Sequence, residues 1–240
     1  MEVRIGCSGF AYNDWSGLFY PDDLPRPEWL EYYAEHFDTL ELNVSFYRTP
    51  GPIFFKNIYK RTPQDFCCIV KIPQSITHLN RMVGIQDELD KFYSVIREGL
   101  REKLGAVLFQ FPGSFEFTPQ RLASIIENLD PTFENVVEFR NATWWQADVE
   151  RLLGLSGTCF CSVSYPGLPD KPVINTATTY YRFHGVPKLY YSIYATDFLR
   201  TVAETFMLDG GVKKTYFLFN NTATRAALEN ASYLQDYISL

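Results

Sequence analysis

The sequence predicts an α/β fold, a single (β/α)8 barrel of the TIM type with a parallel eight-stranded core and outer helices, over residues 1–240. Short apolar runs rich in β-branched and aromatic residues recur eight times, and eight strands close a parallel barrel. Segments with helical spacing lie between these runs, as right-handed βαβ units require. The length of 240 residues, 46% of them hydrophobic, matches one such barrel of roughly 250 residues.

The predicted strands are nearly continuous in hydrophobicity. Ala106-Val107-Leu108-Phe109 is an example, and such runs are typical of strands that are covered on both faces. In chain order, the predicted strands are residues 3–7, 39–43, 66–71, 106–110, 135–140, 158–163, 179–184 and 215–219.

Apolar residues of the intervening segments recur with the period of a helix. Pro27 suits the first position of a helix that carries Trp29 and Tyr33 on its apolar stripe. Thr118 is a predicted N-cap, with Pro119 at the first helical position. A doubly wound open sheet is the alternative, but no G-x-G-x-x-G or Walker sequence supports a nucleotide-binding fold.

Composition and charge exclude several classes of protein. The 40 aromatic residues argue against a disordered chain, and no uncharged apolar run approaches the ~20 residues that a membrane span needs. The first residues predict a strand rather than a signal peptide, which favours a cytoplasmic protein. A net charge of −6 disfavours nucleic acid as a partner unless a local basic patch binds it. The five cysteines, in apolar runs without a C-x-x-C pair, predict buried reduced thiols.

Polar side chains enter the predicted strands at their C-terminal ends. Residues two apart on a strand share a face, so Glu138 and Arg140 point the same way, as do Arg182 and His184. Since active sites of this architecture lie at the C-terminal mouth, these side chains predict a water-accessible pocket there. The alternative is that Glu138 forms an internal bridge with Arg140 or Lys71. The polar residues at strand ends are Glu41, Asn43, Lys71, Gln110, Glu138, Arg140, Arg182, His184 and Asn220.

Several motifs along the chain resemble those of domain-of-unknown-function family 72, the YecE-like proteins. They occur in order over nearly the full length. Cys7 stands where the family often has Thr or Ser, and Phe10 stands where it usually has Trp. The matching segments are 5–10 (IGCSGF), 19–21 (FYP), 41–48 (ELNVSFYR), 76–78 (ITH), 103–105 (KLG), 110–112 (QFP), 137–140 (VEFR), 181–185 (YRFHG) and 219–221 (FNN), with Trp15, Gly17, Lys71 and Trp144.

The resemblance implies a TIM-type barrel related to the xylose isomerase and endonuclease IV class, in a family without an established reaction. Proteins of that class that act on sugars or abasic DNA hold two or three metals with clusters of His, Asp and Glu. The three histidines of this chain show no H-x-H or H-x-x-x-H spacing, so we predict neither a metal cluster nor a cofactor. A single oxygen-rich site through Glu41, Glu138 and His184 stays open.

Two functions from different classes are consistent with these residues. The first is a metal-independent enzyme that acts on a small anionic, sugar- or phosphate-like substrate. Glu41 is the predicted base, His184 the predicted acid and Glu138 a second catalytic carboxylate. The second is a binding module for nucleic acid or a metabolite, without catalysis. The sequence does not predict the oligomeric state.

The predicted substrate contacts fall into three chemical kinds. Cations would clamp an anionic group, which arginine does in bidentate fashion. Amides would orient the substrate, and aromatic side chains would stack on it. The predicted substrate-binding residues are Asn43, Tyr47, Arg48, Lys71, His78, Gln110, Arg140, Trp144, Arg182 and Asn220.

Overall fold

A computed structural model describes residues 1–47 and 50–239, apart from the side chains of Ser45 and Tyr47. Eight parallel strands follow one another around a closed barrel, and the last pairs with the first. The predicted (β/α)8 fold is therefore confirmed. The strands are β1 (Glu2–Cys7), β2 (Thr39–Leu42), β3 (Cys67–Lys71), β4 (Leu104–Phe111), β5 (Asn135–Phe139), β6 (Cys159–Ser164), β7 (Thr178–Phe183) and β8 (Lys214–Phe219).

Helices cover the outside of the barrel, and the chain reaches several of them through short 3-10 turns. Thr118 caps the helix Pro119–Asn128 as predicted, because its hydroxyl accepts a hydrogen bond from the Arg121 amide at 3.2 Å. Pro27 lies in a 3-10 turn just before the first helix rather than inside it. The α-helices are α1 (Trp29–His36), α2 (Val44–Tyr47), α3 (Pro52–Arg61), α4 (Gln86–Leu100), α5 (Pro119–Asn128), α6 (Ala147–Leu155), α7 (Thr196–Met207) and α8 (Ala226–Ile238). Within the described ranges, every helix is too short or too polar to cross a bilayer.

The predicted strand ends differ from the observed ones where a polar residue was included. Asn43, Arg140 and His184 each follow the last residue of their strand. His184 still donates its amide to the Ser164 carbonyl at 3.1 Å, so the ladder continues by one bond. The direction of β7 therefore extends to His184 although regular pairing has ended.

Two apolar layers enclose the strands. The larger lies between barrel and helices, and the smaller fills the barrel interior with alternate residues of β3 to β8. Ile69, Leu108, Val136 and Leu218 belong to this interior cluster and are fully buried. All five cysteines are buried as predicted, and burial raises the pKa of Cys67 to about 11. The interior below the mouth is thus a dry, close-packed core.

Candidate functional site

Arg182 lies at the centre of a buried ionic cluster at the C-terminal end of the barrel. Its Nη2 is 2.5 Å from Glu41 Oε1, and its Nη1 is 2.5 Å from Glu138 Oε2. The three side chains are at most 1% exposed. Because the residues come from β2, β5 and β7, a single guanidinium joins opposite sides of the barrel.

Further donors complete the hydrogen bonding of the two carboxylates. The Tyr180 hydroxyl donates to Glu41 Oε2 at 2.8 Å, and Asn43 Nδ2 donates to Glu41 Oε1 at 3.1 Å. Arg140 Nε donates to Glu138 Oε1. The internal bridge between Glu138 and Arg140, the sequence-based alternative, therefore exists as part of a larger network. A buried carboxylate with this many donors is stabilised in its ionised form.

The neighbouring cations decide the charge state of Glu138. Burial alone would raise its pKa, but the charges of Arg140 and Arg182, together with the contact to His184, outweigh burial and hold the pKa well below its usual range. Burial disfavours a charged Arg182, but Glu138 and Glu41 hold its pKa well above the ordinary value. Glu138 and Arg182 therefore stay ionised at neutral pH.

A cavity of about 450 Å³ lies above this cluster. Its size is in the range of small-molecule sites. Arg182 Nε and Asn43 Oδ1, which belong to two lining residues, are buried and have no hydrogen-bond partner among the described residues, so a ligand or water can satisfy them. The lining residues are Tyr12, Asn43, Phe46, Lys71, Gln110, Arg140, Arg182, Tyr190, Asn220 and Thr222.

Six of the predicted contact residues are among these lining residues: Asn43, Lys71, Gln110, Arg140, Arg182 and Asn220. Tyr12 and Asn43 also border a second cavity of about 350 Å³, which Glu41 lines. The sequence did not single out Thr222, which lies in the loop after β8. Its signal was weak, because a threonine in a loop is more often a turn residue than a ligand contact.

Lys71 ends β3 and borders the cavity with 9% of its surface exposed. Its Nζ donates to Gln110 Oε1 at 2.8 Å and lies 3.9 Å from the centre of the Phe46 ring. Burial, followed by the charges of Arg182 and Arg140, lowers its pKa to about 7 against the opposing effect of the two carboxylates. The amine therefore changes its charge near neutral pH.

His184 is fully buried behind Arg140. Its Nε2 is 3.2 Å from Arg140 Nη2 and 3.3 Å from Glu138 Oε1, while its Nδ1 is 2.8 Å from Asn220 Nδ2. Burial, and then Arg140, lowers its pKa well below the usual range in spite of Glu138. His184 is therefore a neutral imidazole near neutral pH, and its contacts link Arg140, Glu138 and Asn220.

The neutral state of His184 predicts a pH dependence of stability. The unfolded chain protonates this histidine below 6.5, whereas the folded protein does not, so the unfolded state binds the extra proton. We expect the free energy of unfolding to fall by about 1.4 kcal/mol per pH unit from this residue as pH decreases towards about 5. His78, with its pKa lowered to about 4, contributes in the same direction.

Urea denaturation across this pH window measures the effect. His184→Asn should flatten the profile, whereas His36→Asn, at an exposed position of α1, serves as the matched control. An unchanged slope in His184→Asn would show that the imidazole is already protonated in the folded state.

Trp144 does not lie at the cavity, contrary to the prediction. It is fully buried and stacks on Phe139 with ring centres 4.0 Å apart, and its Nε1 donates to the Phe115 carbonyl at 2.6 Å. The loop after β5 turns this indole towards the outer layer, where apolar burial and a satisfied N–H favour it. Ligand binding by Trp144 does not fit this position.

Three predicted contacts remain: His78, Tyr47 and Arg48. His78, on a π-helical turn over Ser75–Leu79, is half-buried, with its ring centre 4.9 Å from that of Phe46. Burial and the charges of Lys71 and Arg140 lower its pKa. Arg48 and the side chain of Tyr47 lie outside the described residues.

The residues that the structure describes contain no group of three or more His, Cys, Asp or Glu side chains arranged to hold a metal ion. Glu41 and Glu138, which the sequence left open as ligands of a single metal, both bind Arg182 instead. Lys71, Arg140 and the amide side chains of Gln110 and Asn220 border the cavity beside this cluster.

Comparison with known proteins shows relatives across the whole chain. The UPF0759 protein YunF of Bacillus subtilis (strain 168) is 27% identical over 200 residues, which cover 76% of this chain and 70% of YunF. YecE of Escherichia coli (strain K12) is 27% identical over 126 residues, covering 48% of this chain and 45% of YecE.

Solved structures of similar proteins extend this result. A DUF72 family protein from Thermotoga maritima MSB8 is 30% identical, with a TM-score of 0.90 over 100% of both chains. Another, from Enterococcus faecalis V583, shares the fold at 20% identity, with a TM-score of 0.82 over 99% of this chain and 96% of its own. The family model described as "Protein of unknown function DUF72" matches residues 4–240, and the chain therefore belongs to the DUF72 family.

Proposed function

We propose that the protein is an enzyme that binds a small anionic, sugar- or phosphate-like substrate in the barrel-mouth cavity and acts on it by acid–base chemistry without a metal. The observation that carries this proposal is the charge of the cavity wall. Lys71, Arg140 and Arg182 all line the cavity, whereas Glu138 does not and Glu41 faces the neighbouring cavity. A partly buried site of this polarity attracts anions.

The same geometry supports Arg140 as the principal anion contact. Its guanidinium lies 4.0 Å above the Tyr165 ring, and its side chain is 11% exposed, so it borders the cavity in a fixed orientation. A planar guanidinium can donate two hydrogen bonds to a phosphate or carboxylate. Gln110 and Asn220, which line the same cavity, supply amides that can bind hydroxyl or carbonyl groups of the substrate.

For acid–base catalysis, Lys71 fits better than the pair named from the sequence. Glu41 accepts hydrogen bonds from Arg182, Tyr180 and Asn43, so protonating it would disrupt a buried ion pair. His184 is enclosed. Lys71 borders the cavity and changes charge near neutral pH, which is the property of an efficient proton donor or acceptor.

Binding of anions tests the proposal. We expect inorganic phosphate, citrate and sugar phosphates to raise the melting temperature, and Arg140→Met to weaken their binding by about tenfold or more, as loss of a charged hydrogen bond does. Isothermal titration calorimetry measures the affinity, and each titration is repeated at high salt.

Arg121→Met is the matched control, because Arg121 also lies over an aromatic ring, that of Phe115, away from the cavity. It should bind like the unaltered protein. If none of these anions binds, the proposal is wrong. If a single-stranded oligonucleotide binds in their place with strong salt dependence, nucleic-acid recognition is favoured.

A further inference from the structure

The end of β3 presents an amine to the cavity in a fixed position. Lys71 is the last residue of the strand, and its neighbour Ile72 still donates its amide to the Leu108 carbonyl at 2.9 Å. Gln110 Oε1 and the Phe46 ring hold Nζ from two sides. The backbone and the amine are thus both positioned before any ligand binds, as covalent catalysis requires.

Burial at the cavity wall favours the neutral form of the Lys71 amine. It is the largest cause of the lowered pKa, and the charges of Arg182 and Arg140 act in the same direction against the attraction of Glu138 and Glu41. With a pKa of about 7, half of the Lys71 side chains are neutral at pH 7. An ordinary exposed lysine is almost entirely protonated at that pH. His78, whose pKa is lowered to about 4, partly by the charge of Lys71, is itself neutral at pH 7.

A neutral, desolvated lysine beside other cations is an activated nucleophile. We propose that Lys71 forms a Schiff base with the carbonyl carbon of an anionic aldehyde or ketone whose acidic group binds Arg140. This inference rests on the proposed function, because it assigns the substrate class of the same cavity. Arg140 then binds the anionic group, while burial, assisted by the arginine charges, disfavours protonation of the amine.

The covalent step requires no oxidant, reductant or metal. The lone pair of Nζ attacks the carbonyl carbon, the C–N bond forms, and a proton moves from nitrogen to oxygen to give a carbinolamine. The C–O bond then breaks, and the second N–H proton leaves with the oxygen as water. The resulting imine takes up one proton to become an iminium, and addition of water reverses the sequence.

Lys103 provides a contrast within the same chain. It is also buried, but its Nζ donates to the carbonyls of Tyr59 and Thr62 and to the Thr62 hydroxyl, at 2.6, 2.7 and 3.0 Å. An ammonium is suited to three oxygen acceptors. Burial is thus common to both lysines. Lys71 differs from Lys103 because it borders the cavity.

Reductive trapping of the full chain tests the inference. The protein is incubated at pH 7 with glyoxylate, or with acetaldehyde as a neutral two-carbon counterpart, in the presence of cyanoborohydride. The hydride adds to the iminium carbon and leaves a stable secondary amine, which peptide mass spectrometry locates. We expect glyoxylate to modify Lys71 about 100-fold faster than the exposed Lys60, mainly because a far larger fraction of Lys71 is neutral.

Lys71→Arg should abolish the fast modification, and Lys103→Arg should not change it. If neither aldehyde modifies Lys71 faster than Lys60, the Schiff-base inference is overturned, while anion binding measured by calorimetry still supports the proposed function. If both aldehydes modify Lys71 rapidly and at equal rates, the nucleophile is supported and the anion site of the proposed function is not.

Discussion

Replacing Arg182 with methionine should lower the free energy of unfolding by about 3–5 kcal/mol, the range found when one partner of a buried ion pair is removed. The reason is that Glu41 and Glu138 would both stay buried after losing the guanidinium 2.5 Å from each. Urea denaturation at neutral pH measures the loss. Lowering the pH below about 4.5, where the unfolded chain protonates glutamates, should reduce the difference between variant and parent.

Arg61→Met is the control for the Arg182 prediction. Arg61 also contacts a carboxylate, that of Glu31 at 2.6 Å, but both side chains are about 40% exposed, so the change should cost about 1 kcal/mol or less. Adding Glu138→Gln to Arg182→Met should restore part of the stability by removing one unpaired charge. A loss in Arg182→Met no larger than that in Arg61→Met would contradict the ionic cluster.

Replacing Trp144 with alanine should also cost about 3–5 kcal/mol, the usual loss when a fully buried large aromatic side chain is truncated. The indole stacks between Phe139 and Phe115, so alanine leaves a cavity in the outer layer. Because Trp144 does not border the mouth, affinity for phosphate should stay the same in the folded variant. Urea denaturation and calorimetry measure the two effects separately.

Trp144→Phe, which keeps a ring in the stack, is the conservative control and should lose much less stability. If Trp144→Ala keeps the free energy of unfolding of the parent but binds phosphate at least tenfold more weakly, the role of this residue as a ligand contact, predicted from the sequence, is restored.

The fold could be predicted because its signals are local. Each strand is a short apolar run between turn residues, and the predicted and observed strands differ by at most two residues at either end. The positions of Lys71, Gln110 and Asn220 follow from the same rule, since the C-terminal ends of parallel strands meet at one face of the barrel. Alternation along a strand then decides which side chains point inward.

The sequence could not show which polar residues pair with each other. Arg182 and Glu41 are 141 positions apart, and no local pattern specifies that this guanidinium takes both carboxylates. Lys71, outside this pairing, borders the cavity with a pKa lowered to about 7. Trp144 was misplaced for a related reason: a loop residue points wherever tertiary contacts favour it, and the side that it takes is not encoded by its distance from the strand.

The apolar interior below the Arg182 guanidinium also bears on how solutes would reach the Lys71 amine. Ile69, Leu108 and Leu218 belong to the apolar cluster inside the barrel and are fully buried, so we expect the cavity to be closed towards the barrel interior. Reactant and product would then share one route, and turnover would require the first molecule to depart before the next arrives. An inert anion lodged at the opening should therefore behave as a purely competitive inhibitor.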